Sequence, residues 1–233
     1  MKNKYLSFVS DEHFLKCVSH VCSGYSEVKK EVKISDLKGN GLDPFKVIFD
    51  IASKNSTFGK WLIGEELRQS DKTLNNRIGE FHQRLLGGVE GWHDLGIGDD
   101  TKLDLVNHDR SIGIELKNKS NTVNADSKDK VRDKLEAFIT ANPKSVAYWA
   151  YIISPKNNHG ENVWKYHGRI DKRIRIIWGS KVYELVTDDA NALRATWEAL
   201  PNAINEVSKK QISKEDMKKL ISAFNSALIP TKP

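Results

Sequence analysis

Apolar residues along the 233-residue chain recur with two different periods. Over residues 11–23 and 59–86 the period is helical. In the second stretch Leu74, Ile78, Phe81 and Leu85 lie three or four apart, and Gly87-Gly88 ends the run. Segments 101–107 and 111–118 lie either side of Asn107-His108-Asp109-Arg110, the pattern of an antiparallel strand pair and its turn. A polar helix is predicted over 126–141, closing before Pro143. VAYWAYIIS (146–154) is apolar almost throughout, as a strand buried in the middle of a sheet is. Residues 173–178 and 181–186 predict a hairpin about Gly179-Ser180. Leu193, Trp197, Leu200, Ile204 and Val207 then form a helical stripe in which Pro201 predicts a kink or a new start. A last helix starts at Ser213, where S-K-E-D resembles a capping box, and is expected to bury Met217, Leu220, Ile221, Phe224 and Leu228.

This order predicts an α/β fold with helices packed on a central sheet. No repeat, low-complexity tract or Gly/Ser linker divides it. The chain therefore reads as one domain, 1–233, with an N-terminal helical part (1–90), a sheet core (91–187) and C-terminal helices (188–228).

Composition narrows the class. Hydrophobic residues make up 39% and charged residues 29%, which suits a soluble globular protein. No apolar run of about 18 residues occurs, and MKNKYLSFVSDEHF lacks the apolar core of a secretory signal, so a cytoplasmic location is expected. The two cysteines, Cys17 and Cys22, match neither a disulfide framework nor a zinc-site spacing, and read as buried free thiols.

The net charge of +6 (37 Lys and Arg against 31 Asp and Glu) is less informative than its distribution. Between Lys156 and Lys181, seven basic residues face only Glu161 and Asp171, a local excess of 7 − 2 = +5 interleaved with Trp164, Tyr166, His167 and Trp178. Basic clusters with aromatics suit nucleic-acid contact; a solvated surface hairpin is the plainer reading of the same residues.

The chemistry centres on IGIELKNK (112–119). Ile112, Ile114 and Leu116 alternate with Gly113, Glu115 and Lys117, and Lys119 continues the polar row. Alone, this describes a solvated edge strand. Asp104, in TKLDLVNHD, changes that: if 101–107 pairs with 111–118, Asp104 and Glu115 come close together, with Lys117 on the same face. Adjacent carboxylates repel, and solvent, a proton or a divalent cation relieves them. Two carboxylates that hold Mg²⁺ through hard oxygens, with a lysine beside them, are what metal-assisted phosphodiester hydrolysis needs.

Asp104…Glu115-Leu116-Lys117 on a hairpin resembles the PD-(D/E)xK nuclease superfamily, with Leu103 in place of the proline. More widely, FVSDEHF, NGLDPFKVIFD (40–50), RQSDKTLNNRIGEFHQ (68–83), GIELKNKSNTVNADS (113–127) and YELVTDDANALRATWEALPNAI (183–204) resemble a type II restriction endonuclease family whose members cut GGNCC sites. The resemblance implies a restriction-endonuclease-like core, a mixed sheet flanked by helices. It further implies Mg²⁺-dependent cleavage of double-stranded DNA by a homodimer, and a cognate DNA cytosine methyltransferase protecting the host. By position, Asp104 and Glu115 match the metal-binding acids and Lys117 the catalytic lysine. Glu80, on a polar helix face with Asn76 and Gln83, is a candidate further acid, with Glu66 as an alternative. His82 reads as a hydrogen-bonded core histidine, and Asp94, Asp99 and Asp100 as turn residues.

DNA-contact candidates are of two kinds. Asn118, Asn121 and Asn124 follow the catalytic strand, and Lys119 sits on its face as a phosphate contact. Arg169, Arg173 and Arg175 offer guanidinium forks to the O6/N7 edge of guanine. Three readings stay open on sequence: a restriction endonuclease, a structure-specific or repair nuclease with the same site, and a DNA-binding protein whose acidic pair is structural.

Overall fold

A computed structural model describes residues 3–27, 43–96, 103–120, 125–154, 156 and 158–228. The chain forms two compact units, one of residues up to 19 together with those from 79 onward, the other of residues 20–78. Its elements run α1 (Asp11–Glu27), α2 (Pro44–Ser53), α3 (Phe58–Gly87), β1 (Trp92–Asp94), β2 (Leu105–Asn107), β3 (Ile112–Lys119), α4 (Ala125–Ala141), β4 (Val146–Ile153), β5 (Gly160–Val163), β6 (Ile174–Trp178), α5 (Ser180–Thr187), α6 (Ala192–Ser208) and α7 (Lys214–Leu228).

The larger unit is built on a six-stranded sheet of order β1-β2-β3-β4-β6-β5. The β1–β2, β2–β3 and β5–β6 pairs are antiparallel, while β3–β4 and β4–β6 are parallel. It is a mixed α/β sheet, as the sequence predicts. Parallel neighbours need a crossover, and α4 supplies the one between β3 and β4. Its stripe of Val131, Leu135, Phe138 and Ile139 packs with Leu103, Val106, Ala147, Trp149 and Ile174. Tyr148, Ala150 and Ile152 alternate with these along β4 and are buried too, so the central strand is covered on both faces.

Gly113 is set by this packing. A Cβ there would lie 2.7 Å from both Leu103 Cδ1 and Phe138 Cε1, so only glycine lets α4 approach β3 so closely. The polar row of β3 is therefore not a solvated face. Gly113 and Glu115 are buried, Lys117 is half-buried, and Lys119 is exposed.

Three expectations are corrected. Residues 181–186 are not a strand: they lie in α5, which packs on β4, β5 and β6. Gly179 has φ +67°, which glycine tolerates, but its turn opens a helix, and the Ser180 amide donates to His159 Nδ1 at 2.7 Å. A short apolar run such as KVYELV fits strand or helix equally well. The strand that pairs antiparallel with β6 is β5. Second, α6 continues through Pro201 as one helix, so of the two alternatives no new helix starts there. Third, Ser213 does cap α7, its hydroxyl accepting from the Asp216 amide at 3.0 Å, yet the stripe behind it is not buried: Ile221 and Phe224 are exposed.

In the smaller unit, α2 begins with Asp43 accepting from the Phe45 and Lys46 amides and with Pro44 in the first turn. It has no buried residue, and Phe45, Ile48 and Phe49 lie open. Trp61 of α3 donates through its indole N–H to Asp50, which ties the two helices together.

Candidate active site

The antiparallel register of β2 on β3 matches Leu105 with Ile114, so Asp104, one step earlier, falls opposite Glu115. The backbone of Asp104 is fixed on both sides. Its amide donates to the Ile114 carbonyl (3.0 Å), and its own carbonyl accepts from the Leu95 amide (3.1 Å). Its side chain takes over where the ladder ends: Asp104 Oδ2 accepts the Leu116 N–H at 2.6 Å. The carboxylate is thus held by the strand that also carries Glu115 and Lys117.

Lys117 Nζ closes the cluster. It lies 2.8 Å from Glu115 Oε1, 3.4 Å from Asp104 Oδ2 and 3.1 Å from the Leu116 carbonyl. Glu115 is 3% exposed, whereas Asp104 and Lys117 keep 22% and 31%. A buried carboxylate needs charged partners, and Glu115 has two, because Lys134 of α4 reaches its other oxygen, Oε2, at 2.9 Å. The three residues that the sequence brought forward converge as expected, and Lys134 joins them unpredicted. Its one sequence signal was a cation in the stripe Val131-Lys134-Leu135-Phe138, where apolar residues are the rule.

The electrostatics follow from this crowding. Burial, then the neighbouring Glu115 charge, raises the Asp104 carboxyl above its ordinary value, against the pull of Lys117, the Leu116 amide and Lys134. For Lys117 burial works against the ammonium, but Asp104 and Glu115 outweigh it and the group is raised.

The donor set suits a hard divalent cation. It offers two carboxylates and a backbone carbonyl, and Asp104 Oδ1 accepts none of the hydrogen bonds made among the described residues. One or two carboxylates, with the rest of the shell left to water and phosphate, is the pattern of Mg²⁺ sites. Among the described residues no third His, Cys, Asp or Glu completes a larger metal cluster.

The other candidates fall into place more variously. Glu80 is half exposed and ion-pairs with Arg84 one turn on. Glu66 lies on α3 within the smaller unit. His82 is the expected core histidine: its Nδ1 is 2.7 Å from the Tyr183 hydroxyl, and burial pushes its pKa down to about 4, leaving a neutral ring. Asp94 accepts from Gln83 (2.7 Å) and from the Gly96 amide (2.9 Å), as a turn residue does. Asn118 is half-buried on β3 and Lys119 exposed at its end. Asn121, Asn124, Asp99 and Asp100 lie outside the described residues.

All three arginines of the basic segment reach carboxylates of their own chain. Arg169 bridges Asp133 (2.8 Å), Glu136 (3.1 Å) and Asp129 (3.6 Å) on α4. Arg173 pairs with Asp171 (2.7 Å) and donates to the Pro143 carbonyl (3.0 Å), and Arg175 pairs with Glu161. Beneath them lies Arg132, which the sequence reading overlooked. It is 1% exposed, donates to Glu136 (2.8 Å) and to the Trp164 carbonyl (2.6 Å), and lies over the Trp164 ring.

Comparison with known proteins identifies the family. The profile of the Eco47II restriction endonuclease family matches residues 6–209. The chain is 34% identical over 221 residues to the type II restriction enzyme Eco47II of Escherichia coli, covering 90% of this chain and 91% of that one. It is 29% identical over 218 residues to the type II restriction enzyme Sau96I of Staphylococcus aureus, covering 88% and 82%. With nearly its whole length matched and a nuclease-like carboxylate–lysine cluster on its sheet, the chain belongs to the Eco47II restriction endonuclease family and is a type II restriction endonuclease.

Proposed function

We propose that this chain, as a single nuclease domain acting in a homodimer, cleaves both strands of duplex DNA at GGNCC or its GGWCC subset. We propose further that the reaction needs Mg²⁺ and leaves 5′-phosphate ends, and that a cognate cytosine methyltransferase protects the host. The observation that carries this reading is the convergence of Asp104, Glu115 and Lys117, with Asp104 anchored on the Leu116 amide.

Asp104 and Glu115 would hold the metal, which when bound lowers the pKa of a coordinated water and neutralises charge on the phosphate. The rest is work for the chain. Lys117 is flanked by two carboxylates, which without a metal favour its ammonium form. In that form it orients the attacking water and offsets negative charge gathering on the phosphate, whereas accepting a proton would require it neutral. Lys119, two residues on and at the open end of β3, suits a phosphate contact. For Arg173 or Arg175 to read guanine, each exchanges its present carboxylate for a base edge.

A plasmid with mapped GGNCC sites, digested in Mg²⁺ and sequenced at its ends, tests the reading. Discrete fragments ending at those sites are expected. Random nicking, or cutting unrelated to them, overturns the proposed specificity.

A further inference from the structure

Helix α4 contributes a second lysine to the carboxylate pair, and its geometry is unlike that of Lys117. Each oxygen of Glu115 is taken by a different ammonium, Oε1 by Lys117 at 2.8 Å and Oε2 by Lys134 at 2.9 Å. Lys117 also reaches Asp104 and a backbone carbonyl, so it is anchored at three points. Among the described residues Lys134 makes this one hydrogen bond, from a side chain that keeps 31% exposure. It can therefore leave Glu115 without carrying its charge into the core.

Charge balance says why it is there. Asp104 and Glu115 supply two negative charges side by side, and Lys117 alone cancels one. With Lys134 the cluster is neutral, which a site this buried favours. A divalent cation bound to Glu115 brings two positive charges up against both ammonium groups, and Lys134 is the one held by a single bond among the described residues.

We propose that Lys134 is a positioning residue of the active site. It holds Glu115 in place and balances the carboxylate pair until the metal enters, and it is the ammonium that the metal displaces. This rests on the reading that Asp104 and Glu115 form the metal site. It makes a prediction that runs against a simple supporting role: removing Lys134 strengthens metal binding, because the cation no longer competes with an ammonium. Partial exposure screens the Lys134 charge, so the effect is modest. The expected gain is about 3- to 10-fold.

Calcium binding to the full-length protein, titrated calorimetrically, tests this with the wild type, Lys134→Met, Lys134→Arg and Asp104→Ala. Lys134→Met keeps the aliphatic stem, and Lys134→Gln is the second neutral variant should Met impair folding. The neutral variant is expected to bind Ca²⁺ about 3- to 10-fold tighter than wild type. Without metal it melts lower, and it gains more in thermal midpoint when Ca²⁺ is added. Lys134→Arg, which keeps the charge, stays near wild type. If the neutral variant binds Ca²⁺ equally or more weakly, Lys134 only supports Glu115 and the displacement proposal falls. If Asp104→Ala binds Ca²⁺ as well as wild type does, the metal-site reading itself fails, a separate outcome.

Discussion

Two ion networks meet on helix α4, and they are built to opposite designs. On one side Arg132 is fully buried, and its guanidinium meets Glu136 and the Trp164 carbonyl while its flat face covers the Trp164 ring. Arg169 adds a second fork to Glu136 and to Asp133. Two guanidinium groups there meet three carboxylates, Asp129, Asp133 and Glu136. On the other side Asp104 and Glu115 are set next to each other, and the Asp104 carboxyl is raised because burial and a like charge disfavour its ionised form. The first network joins α4 to the β5–β6 connection. The second sets two acids side by side at the β2–β3 register and meets them with Lys117 and Lys134. Both networks are ion-paired; the second differs in that a buried carboxylate, Glu115, lies beside another acid and both are balanced by lysines alone.

If that distinction is right, breaking the first network should cost folding and breaking the second should cost chemistry. Arg132→Ala is expected to destabilise the protein by about 1–3 kcal/mol, since it leaves the buried Trp164 carbonyl unpaired while Glu136 keeps Arg169. Urea unfolding measures it, and the surviving folded fraction should cleave at a near-normal rate. A loss of specific activity without a loss of stability would place Arg132 in the wrong network.

Lys117→Ala should lower the cleavage rate about 10²–10³-fold, the usual loss when one contact to developing charge is removed. DNA binding in Ca²⁺ should persist, as a gel-shift assay can show. Near-normal cleavage by this variant would remove Lys117 from the mechanism.

A smaller effect is expected from Asp104→Asn. A carboxyl whose folded-state pKa is raised holds its proton more tightly when folded, so the folded state carries a penalty at pH values above that pKa. The penalty disappears as pH falls through it. The amide variant escapes it altogether and still accepts from the Leu116 amide. Its metal-free thermal midpoint should therefore exceed that of wild type at neutral pH, and the difference should close on acidification, while cleavage is lost. A lower midpoint at neutral pH would mean that the attraction of Lys117 and Lys134 outweighs the crowding.

The smallest change belongs to Arg169→Ala. The arginine is a surface member of its network, and exposed ion pairs contribute little. Little or no shift in thermal midpoint is expected. If DNA affinity nevertheless falls equally on cognate and non-cognate sequences, with a shallower salt dependence, Arg169 exchanges its acids for phosphate.

By itself the sequence determined whatever depends on nearby residues. Helical periodicity placed α1, α3, α4, α6 and α7, the apolar run of 146–154 gave a central strand, and the turn at 107–110 brought Asp104 opposite Glu115. Those contacts span a few residues, so spacing encodes them. Tertiary structure decided everything that depends on what arrives from elsewhere in the chain. Residues 181–186 became helix because of where they pack, and Lys134 and Arg132 acquired their partners only when α4 folded onto β3 and the β5–β6 connection. The same holds for burial: the stripe of α4 is covered, while those of α2 and α7 show Phe45, Phe49, Ile221 and Phe224 exposed, although all three have helical spacing. Periodicity states which residues share a face, and only the fold states what covers it.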